Sequence, residues 1–274
     1  MSQSNSKRSR EERAERAIAM RKQREAAERR RARIITIAIV AVSLVVIVAA
    51  GIAINQSRTS SAAAGSTPKG LTSGGGFLYT QKDVQPSSGS TAPATSSVPS
   101  NKVVPVVLYE DFQCPVCKAF EAADSSFLMD QVANGSITIE YRPIAILNTS
   151  ANSDYSSRSG SAAACTFEDA GIAAYVKLHG LLYISQPQEG GSGLPDSQLT
   201  TLAQQAGASS SVASCISKHT YAGWVNRSTD AASKSGLSGT PTIMVAGKTV
   251  TGANNTVPTL QLIQQAIDRA RAAA

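Results

Sequence analysis

No other stretch limits this chain as tightly as Cys114-Pro115-Val116-Cys117, which follows the apolar run Val103-Val104-Pro105-Val106-Val107-Leu108-Tyr109 after four intervening residues. The β-branched run reads as a sheet strand covered on both faces over most of its length. Pro115 suits the first turn of a helix, Phe120, Ala123 and Phe127 recur at helical spacing, and Asn134-Gly135 supplies the stop. The first thiol of the pair therefore sits at a helix N-terminus, where unpaired N–H groups and the helix dipole favour a thiolate. That placement points to thiol-disulfide exchange.

The elements around this pair follow in order. Phe77-Leu78-Tyr79 reads as a short edge strand, and Ser136 to Tyr141 alternates as a strand, which closes a βαβ unit with a right-handed crossover. Ser161 to Ile184, Asp196 to Ala206, Ser210 to His219 and Ala222 to Lys234 read as helices split by glycines. They are too many for a bare crossover and form a helical insertion over about 154–236. Gly239-Thr240-Pro241-Thr242-Ile243-Met244-Val245 places a proline before a strand, Ala246-Gly247 turns it into Lys248-Thr249-Val250, and Pro258 opens a last helix.

The ends have a different composition. Residues 1–33 hold twelve Lys and Arg against five Glu, so the whole formal charge of +7 resides in this tail and the remaining 14 basic and 14 acidic residues cancel. A nucleic-acid footprint is thereby excluded from the rest of the chain, and the alternating Glu and Arg of the tail suit a solvated helix near anionic lipid better than a nucleic-acid arm. Ile34 to Ile54 is an uncharged run of 21 residues, roughly 32 Å as a helix and enough to cross a bilayer core. It reads as a transmembrane helix; the competing reading, a cleaved signal peptide ending near Ser61-Ala62-Ala63-Ala64, is disfavoured by the long basic region and long apolar run. The basic flank puts the tail in the cytoplasm and everything after Ile54 outside the cell membrane. The expected organisation is 1–33 tail, 34–54 membrane helix, 55–75 Ser/Gly/Ala linker and 76–274 globular domain. All four cysteines lie on the outer side, where disulfides persist.

Asp-Phe-Gln-Cys-Pro at 111–115, the helical insertion, Gly239-Thr240-Pro241-Thr242 and the closing helix together resemble the thioredoxin fold, and specifically membrane-anchored bacterial DsbA-like disulfide oxidoreductases. The resemblance covers roughly Phe77 to Ala274, and Ala173 to Tyr183 is similar to the family's first insert helix. The expected fold class is thus α/β, thioredoxin-like with a helical insertion, preceded by a membrane helix. The resemblance implies that Cys114 is the exposed nucleophile and Cys117 the buried resolving thiol. Pro241 would be a cis proline facing them, and Thr240 the residue whose backbone pairs with substrate beside Pro115 and Val116. It implies no cofactor beyond the Cys114-Cys117 disulfide, exported cysteine-containing proteins as substrates, and a VKOR- or DsbB-type quinone-coupled membrane protein for re-oxidation. A monomer is favoured because no separate dimerisation domain is present.

Two departures matter. Leu108 occupies the position, six residues before the first cysteine, where the family often has an acid; Glu110 and Asp111 stand nearby but out of register. Val116 replaces the histidine of strongly oxidising members, so the Cys114 pKa should lie higher and the pair should be a moderate oxidant.

Other readings stay open. The same site poised lower makes a reductase or isomerase, and a non-catalytic binding or chaperone module keeps the fold without turnover. Zinc needs four ligands, and His179 and His219 form no partner pair in sequence. Both histidines read as packing or surface residues, and Trp224 and Tyr175 as core. Cys165 and Cys215, the two left-over thiols of an exported domain, most simply bond to each other as a structural disulfide; a relay with Cys114 is the alternative.

Overall fold

A computed structural model describes residues 65–84 and 102–274; the basic tail and the apolar run Ile34 to Ile54 lie outside them. Among the described residues no helix is long and apolar enough to cross a membrane. The strands are β1 (Phe77–Tyr79), β2 (Val104–Glu110), β3 (Ile137–Pro143), β4 (Thr242–Val245) and β5 (Lys248–Val250). The helices are α1 (Pro115–Ala133), α2 (Tyr155–Ile184), α3 (Asp196–Ala206), α4 (Val212–Ser217), α5 (Ala222–Lys234) and α6 (Leu260–Ala273). The five strands form one sheet in the order β1-β3-β2-β4-β5. Only β2 and β3 are parallel, Val104 facing Ile137 and Leu108 facing Tyr141, as the crossover through α1 requires. Helices α2 to α5 separate β3 from β4, which is the helical insertion, and α6 lies against β2, β4 and β5.

β2 corrects one expectation. Its side chains alternate: Val104, Val106, Leu108 and Glu110 are buried, while Pro105 is exposed and Val107 and Tyr109 are half-buried. The strand is central, yet one face carries the core and the other is only partly covered. Pro105 is tolerated because pairing with β4 starts at Val106, and its carbonyl accepts a hydrogen bond from Ala246 N at 2.8 Å.

β1 owes its place to packing more than to length. Phe77 is fully buried, with the rings of Phe167 and Tyr175 at 4.6 Å and Trp224 at 5.3 Å. Burying one such ring contributes roughly 1.5–3 kcal/mol, which holds a three-residue strand on the sheet edge. Residues 65–75, expected to be the end of a linker, lie against the domain. Arg227 donates to the Gly65 carbonyl and the Thr67 hydroxyl, Leu71 packs on the core, and Thr72 Oγ1 donates to Glu140.

Two helix limits differ from expectation for reasons of hydroxyl chemistry. α2 starts at Tyr155 rather than Ser161, because its buried hydroxyls bond back along the helix: Ser159 Oγ donates to the Tyr155 carbonyl at 2.8 Å and Thr166 Oγ1 to Ala162 at 2.9 Å. α4 is shorter than Ser210 to His219. Ser209 and Ser211 are engaged by the Asp169 carboxylate at its start, and His219 takes a left-handed φ of 48° beyond its end. Gly171, at φ 79° and ψ −175°, breaks α2. A disulfide joins Cys165 of α2 to Cys215 of α4, with Cα atoms 5.8 Å apart.

Candidate active site

The pair of thiols lies where the sheet hands over to α1. Asp111 makes the turn: its carbonyl accepts from Cys114 N at 3.0 Å, and its carboxylate accepts from Gln113 N at 2.9 Å and Leu147 N at 3.0 Å. Burial raises the Asp111 pKa to about 6. The insertion supplies the other ties. Asn152 Nδ2 donates to Gln113 Oε1 at 2.6 Å, and Gln186 Nε2 donates to the carbonyls of Phe112 and Cys114 at 3.1 and 2.9 Å. The loop before the first cysteine is therefore held from both sides.

Cys114 occupies the N-cap position of α1 in extended conformation, with Pro115 next as the first helical residue. A hydrogen bond from the Cys117 thiol brings the Cys114 pKa down to about 7, aided by Thr240 and by the N–H groups of Cys117 and Val116, against burial. Cys117 lies one turn inside and is fully buried. Burial first, then its bond to Cys114 and the nearby charges of Glu110 and Cys114, push its pKa well above the ordinary range. Both cysteines stand as thiols. The resemblance implied an exposed nucleophile, but Cys114 is only 7% exposed, whereas Val116 is 48% exposed beside it.

The Thr240-Pro241 peptide bond is cis and leads into β4. It sets the Thr240 carbonyl 3.5 Å from Cys114 Sγ, where it accepts from the thiol in the reduced form. Six of the residues expected at the site, Cys114, Pro115, Val116, Cys117, Thr240 and Pro241, are thereby gathered at one end of β2 and β4. Cys165 and Cys215 are in the insertion and bonded to each other.

Beneath Cys117 the structure brings together three groups that sequence reasoning did not assemble. Glu110 at the end of β2, Glu121 on α1 and His179 on α2 place their polar atoms within 4.8 Å of one another. His179 Nε2 lies 2.9 Å from Glu110 Oε2 and Nδ1 lies 3.7 Å from Glu121 Oε2. Burial lowers the His179 pKa, which keeps the ring neutral, while Glu121 opposes the shift. Burial also raises both carboxyls to about 8; Glu110 is further raised by the Cys114 charge, and Glu121 by that of Glu110. The 2.9 Å separation is that of a hydrogen bond. The crevice lined by Glu110, Arg142, Tyr175 and His179 has no room for a water molecule. His179 had read as packing, and it does pack, with Tyr141 at 4.8 Å and Tyr183 at 5.1 Å. The overlooked signal was alternation: Leu108 and Glu110 share the buried face of β2, and Glu121 lies one helical turn beyond Cys117. His219 is elsewhere, paired with Asp196 at 2.8 Å and half-exposed.

A family model described as thioredoxin matches residues 100–268, more than half of the chain. No curated protein matches. Among solved structures, the reduced form of the disulfide bond oxidoreductase DsbG from Mycobacterium tuberculosis is 28% identical, with a TM-score of 0.57 over 74% of this chain and 96% of that one. Oxidised DsbA from the same organism is also 28% identical, with a TM-score of 0.54 over 73% of this chain and 99% of that one. BdbD from Bacillus subtilis, at 18% identity and a TM-score of 0.53 over 72% and 97%, shares the fold. Geometry and likeness together make Cys114 and Cys117 a thiol-disulfide redox site, with the redox couple built into the chain.

Proposed function

The chain belongs to the thioredoxin family, and on that premise we propose that it is an extracytoplasmic thiol:disulfide oxidoreductase that introduces disulfides into exported proteins. The observation that carries this reading is the asymmetry of the pair: a thiol near pKa 7 at a helix N-terminus beside a buried thiol held far higher. A substrate thiolate attacks Cys114 Sγ of the disulfide form, a mixed disulfide results, and a second substrate thiol resolves it with Cys114 as leaving thiolate. The Thr240 backbone at the sulfur offers an edge to an extended substrate chain, a mode that selects no particular side chains. The uncharged run Ile34 to Ile54 and its basic flank support a single-pass anchor with the domain outside the cytoplasm. Likeness to DsbA and DsbG supports exported cysteine-containing substrates and a re-oxidising partner, which we assign to the VKOR or DsbB quinone-coupled type.

A reductase is the second reading, favoured by one observation. The Cys114 pKa of about 7 lies near that of thioredoxin and far above about 3.5 for DsbA. The reduction potential decides between them: the full-length protein is equilibrated in glutathione buffers and the thiols are trapped and weighed. A value of about −120 to −180 mV supports a donor or isomerase, and one near about −270 mV makes it a reductase. A pair that does not titrate returns the fold to a binding role.

A further inference from the structure

The pair of thiols belongs to the turn between β2 and α1, yet the backbone on either side of the first sulfur is gripped by the insertion. Four hydrogen bonds join the stretch just after α2 to residues 112–114. Gln186 Nε2 donates to the carbonyls of Phe112 and Cys114 at 3.1 and 2.9 Å. Gln113 Nε2 donates in return to the carbonyls of Gln188 and Gly191 at 3.4 and 3.3 Å. The first two bonds use both N–H groups of one amide, so a single side chain ties together the peptide planes that follow Phe112 and Cys114. The Cys114 carbonyl still accepts from Lys118 N at 3.1 Å, which starts the ladder of α1.

We propose that Gln186 is a positioning residue for thiol-disulfide exchange, the amide through which the insertion sets the direction and reactivity of the Cys114 sulfur. The inference rests on exchange at Cys114, whichever way electrons flow. Cys114 is the N-cap of α1, and its sulfur has to meet two elements at once. The N–H groups of Val116 and Cys117 belong to α1, and the Thr240 carbonyl, 3.5 Å from Sγ, precedes β4. One sulfur keeps both only while the peptide planes that carry it do not turn. The Asp111 carbonyl fixes the plane before Cys114 by accepting from its N–H at 3.0 Å, and Gln186 fixes the plane after it. Gln186 reaches the site through backbone carbonyls, so it acts through Cys114.

Charge works in the same direction. Carbonyl oxygens carry partial negative charge, and those of Phe112 and Cys114 belong to the turn that holds a thiolate during exchange. Phe112 is 2% and Cys114 7% exposed, so little water is at hand to offset that charge, and a donor amide between the two oxygens does so instead. The titratable groups that act on Cys114 are Cys117 from α1 and Glu110 from β2. Both are retained when residue 186 alone is changed.

The test is alkylation of the reduced full-length protein by iodoacetamide from pH 5 to pH 9, with the Cys114 peptide weighed at each time. Gln186→Met keeps the length of the side chain and removes both N–H groups; Gln186→Glu sets a carboxylate against the two carbonyls. The Cys114 midpoint lies at about 7 in the parent. In Gln186→Met it should rise by about one unit, slowing alkylation at pH 6 about threefold, because a more nucleophilic sulfur partly offsets the smaller thiolate fraction. In Gln186→Glu it should rise further, and in both variants the equilibrium with glutathione should move toward the disulfide form. Variants that only lose stability in urea and keep the parent's midpoint overturn the inference, since packing alone would produce that result. Where neither variant folds, nitrogen-15 NMR of the parent decides. The side-chain amide signals of Gln186 should shift with pH through the Cys114 midpoint, and signals that do not follow it overturn the inference. A parent whose Cys114 shows no midpoint in this range overturns instead the thiolate assigned to Cys114.

Discussion

Two sulfurs one helical turn apart are given opposite characters by their surroundings. Cys114 has hydrogen-bond donors around it and falls to a pKa of about 7, whereas burial, its bond to Cys114 and the neighbouring negative charges push Cys117 the other way. Iodoacetamide applied to the reduced protein should therefore label Cys114 first, with a rate rising through a midpoint near pH 7, while Cys117 stays unmodified; mass mapping of the peptides checks this. In Cys117→Ser the Cys114 thiolate can still attack a disulfide of a substrate protein, one substrate sulfur leaving as thiolate, but no internal thiol then releases the adduct, so covalent adducts should accumulate on non-reducing gels and vanish with reductant. At this scale the sequence was informative about the sulfurs, whose spacing carries their chemistry, and the resemblance to a family motif marked the proline. It was silent about Glu121 and His179, because the pairing of residues from β2, α1 and α2 comes from packing and not from any spacing along the chain.

The insertion is more than a spacer between β3 and β4. Asn152 and Gln186 hold the loop before Cys114, and Phe167, Tyr175 and Trp224 hold β1. Its own integrity rests on two local devices. The disulfide closes a loop of 50 residues, for which the chain-entropy model gives about 4 kcal/mol. Cys165→Ala with Cys215→Ala should lower unfolding free energy by up to that amount, read in urea through the single tryptophan, Trp224, which is 4% exposed. Gly193 is the other: at φ 76° its Cβ position lies 2.6 Å from Tyr155 Cβ. Gly193→Ala should cost about 2–3 kcal/mol by the same measurement, since the new methyl meets a side-chain base that cannot rotate away. The helical periods of Asp196 to Ala206 and Ala222 to Lys234 were legible because apolar spacing set them. The serine-rich start of α2 was not, because hydroxyls that bond backward within a helix look, in a sequence, like those that end one.

For the molecule as a whole, buried carboxyls make stability depend on pH in an uncommon direction. Glu110 and Glu121 are raised to about 8 and Asp111 to about 6, so between the ordinary carboxyl range and those values the folded state binds more protons than the unfolded chain. Their contribution is present at low pH and is lost as pH rises through that window. The reduced protein should accordingly show a urea midpoint that declines from about pH 5 to about pH 8, the opposite of a protein held by ionised carboxylates. Glu110→Gln with Glu121→Gln should flatten most of the decline. The lowered Cys114 pKa adds stability only above about 7 and works against the fall there. The order of elements along the chain and the insertion could be read from periodicity, but this behaviour could not, since it arises from desolvation in the finished core. The chain also carries two kinds of sulfur bond with incompatible requirements. Cys114 must keep meeting foreign thiolates, while the Cys165 to Cys215 bond must never do so, although both belong to the same molecule and share its surroundings. Cys165 is 1% exposed and its partner packs against the core, so the separation is enforced by steric quarantine: an exchanger of disulfides whose own permanent bond is hidden from the traffic it handles.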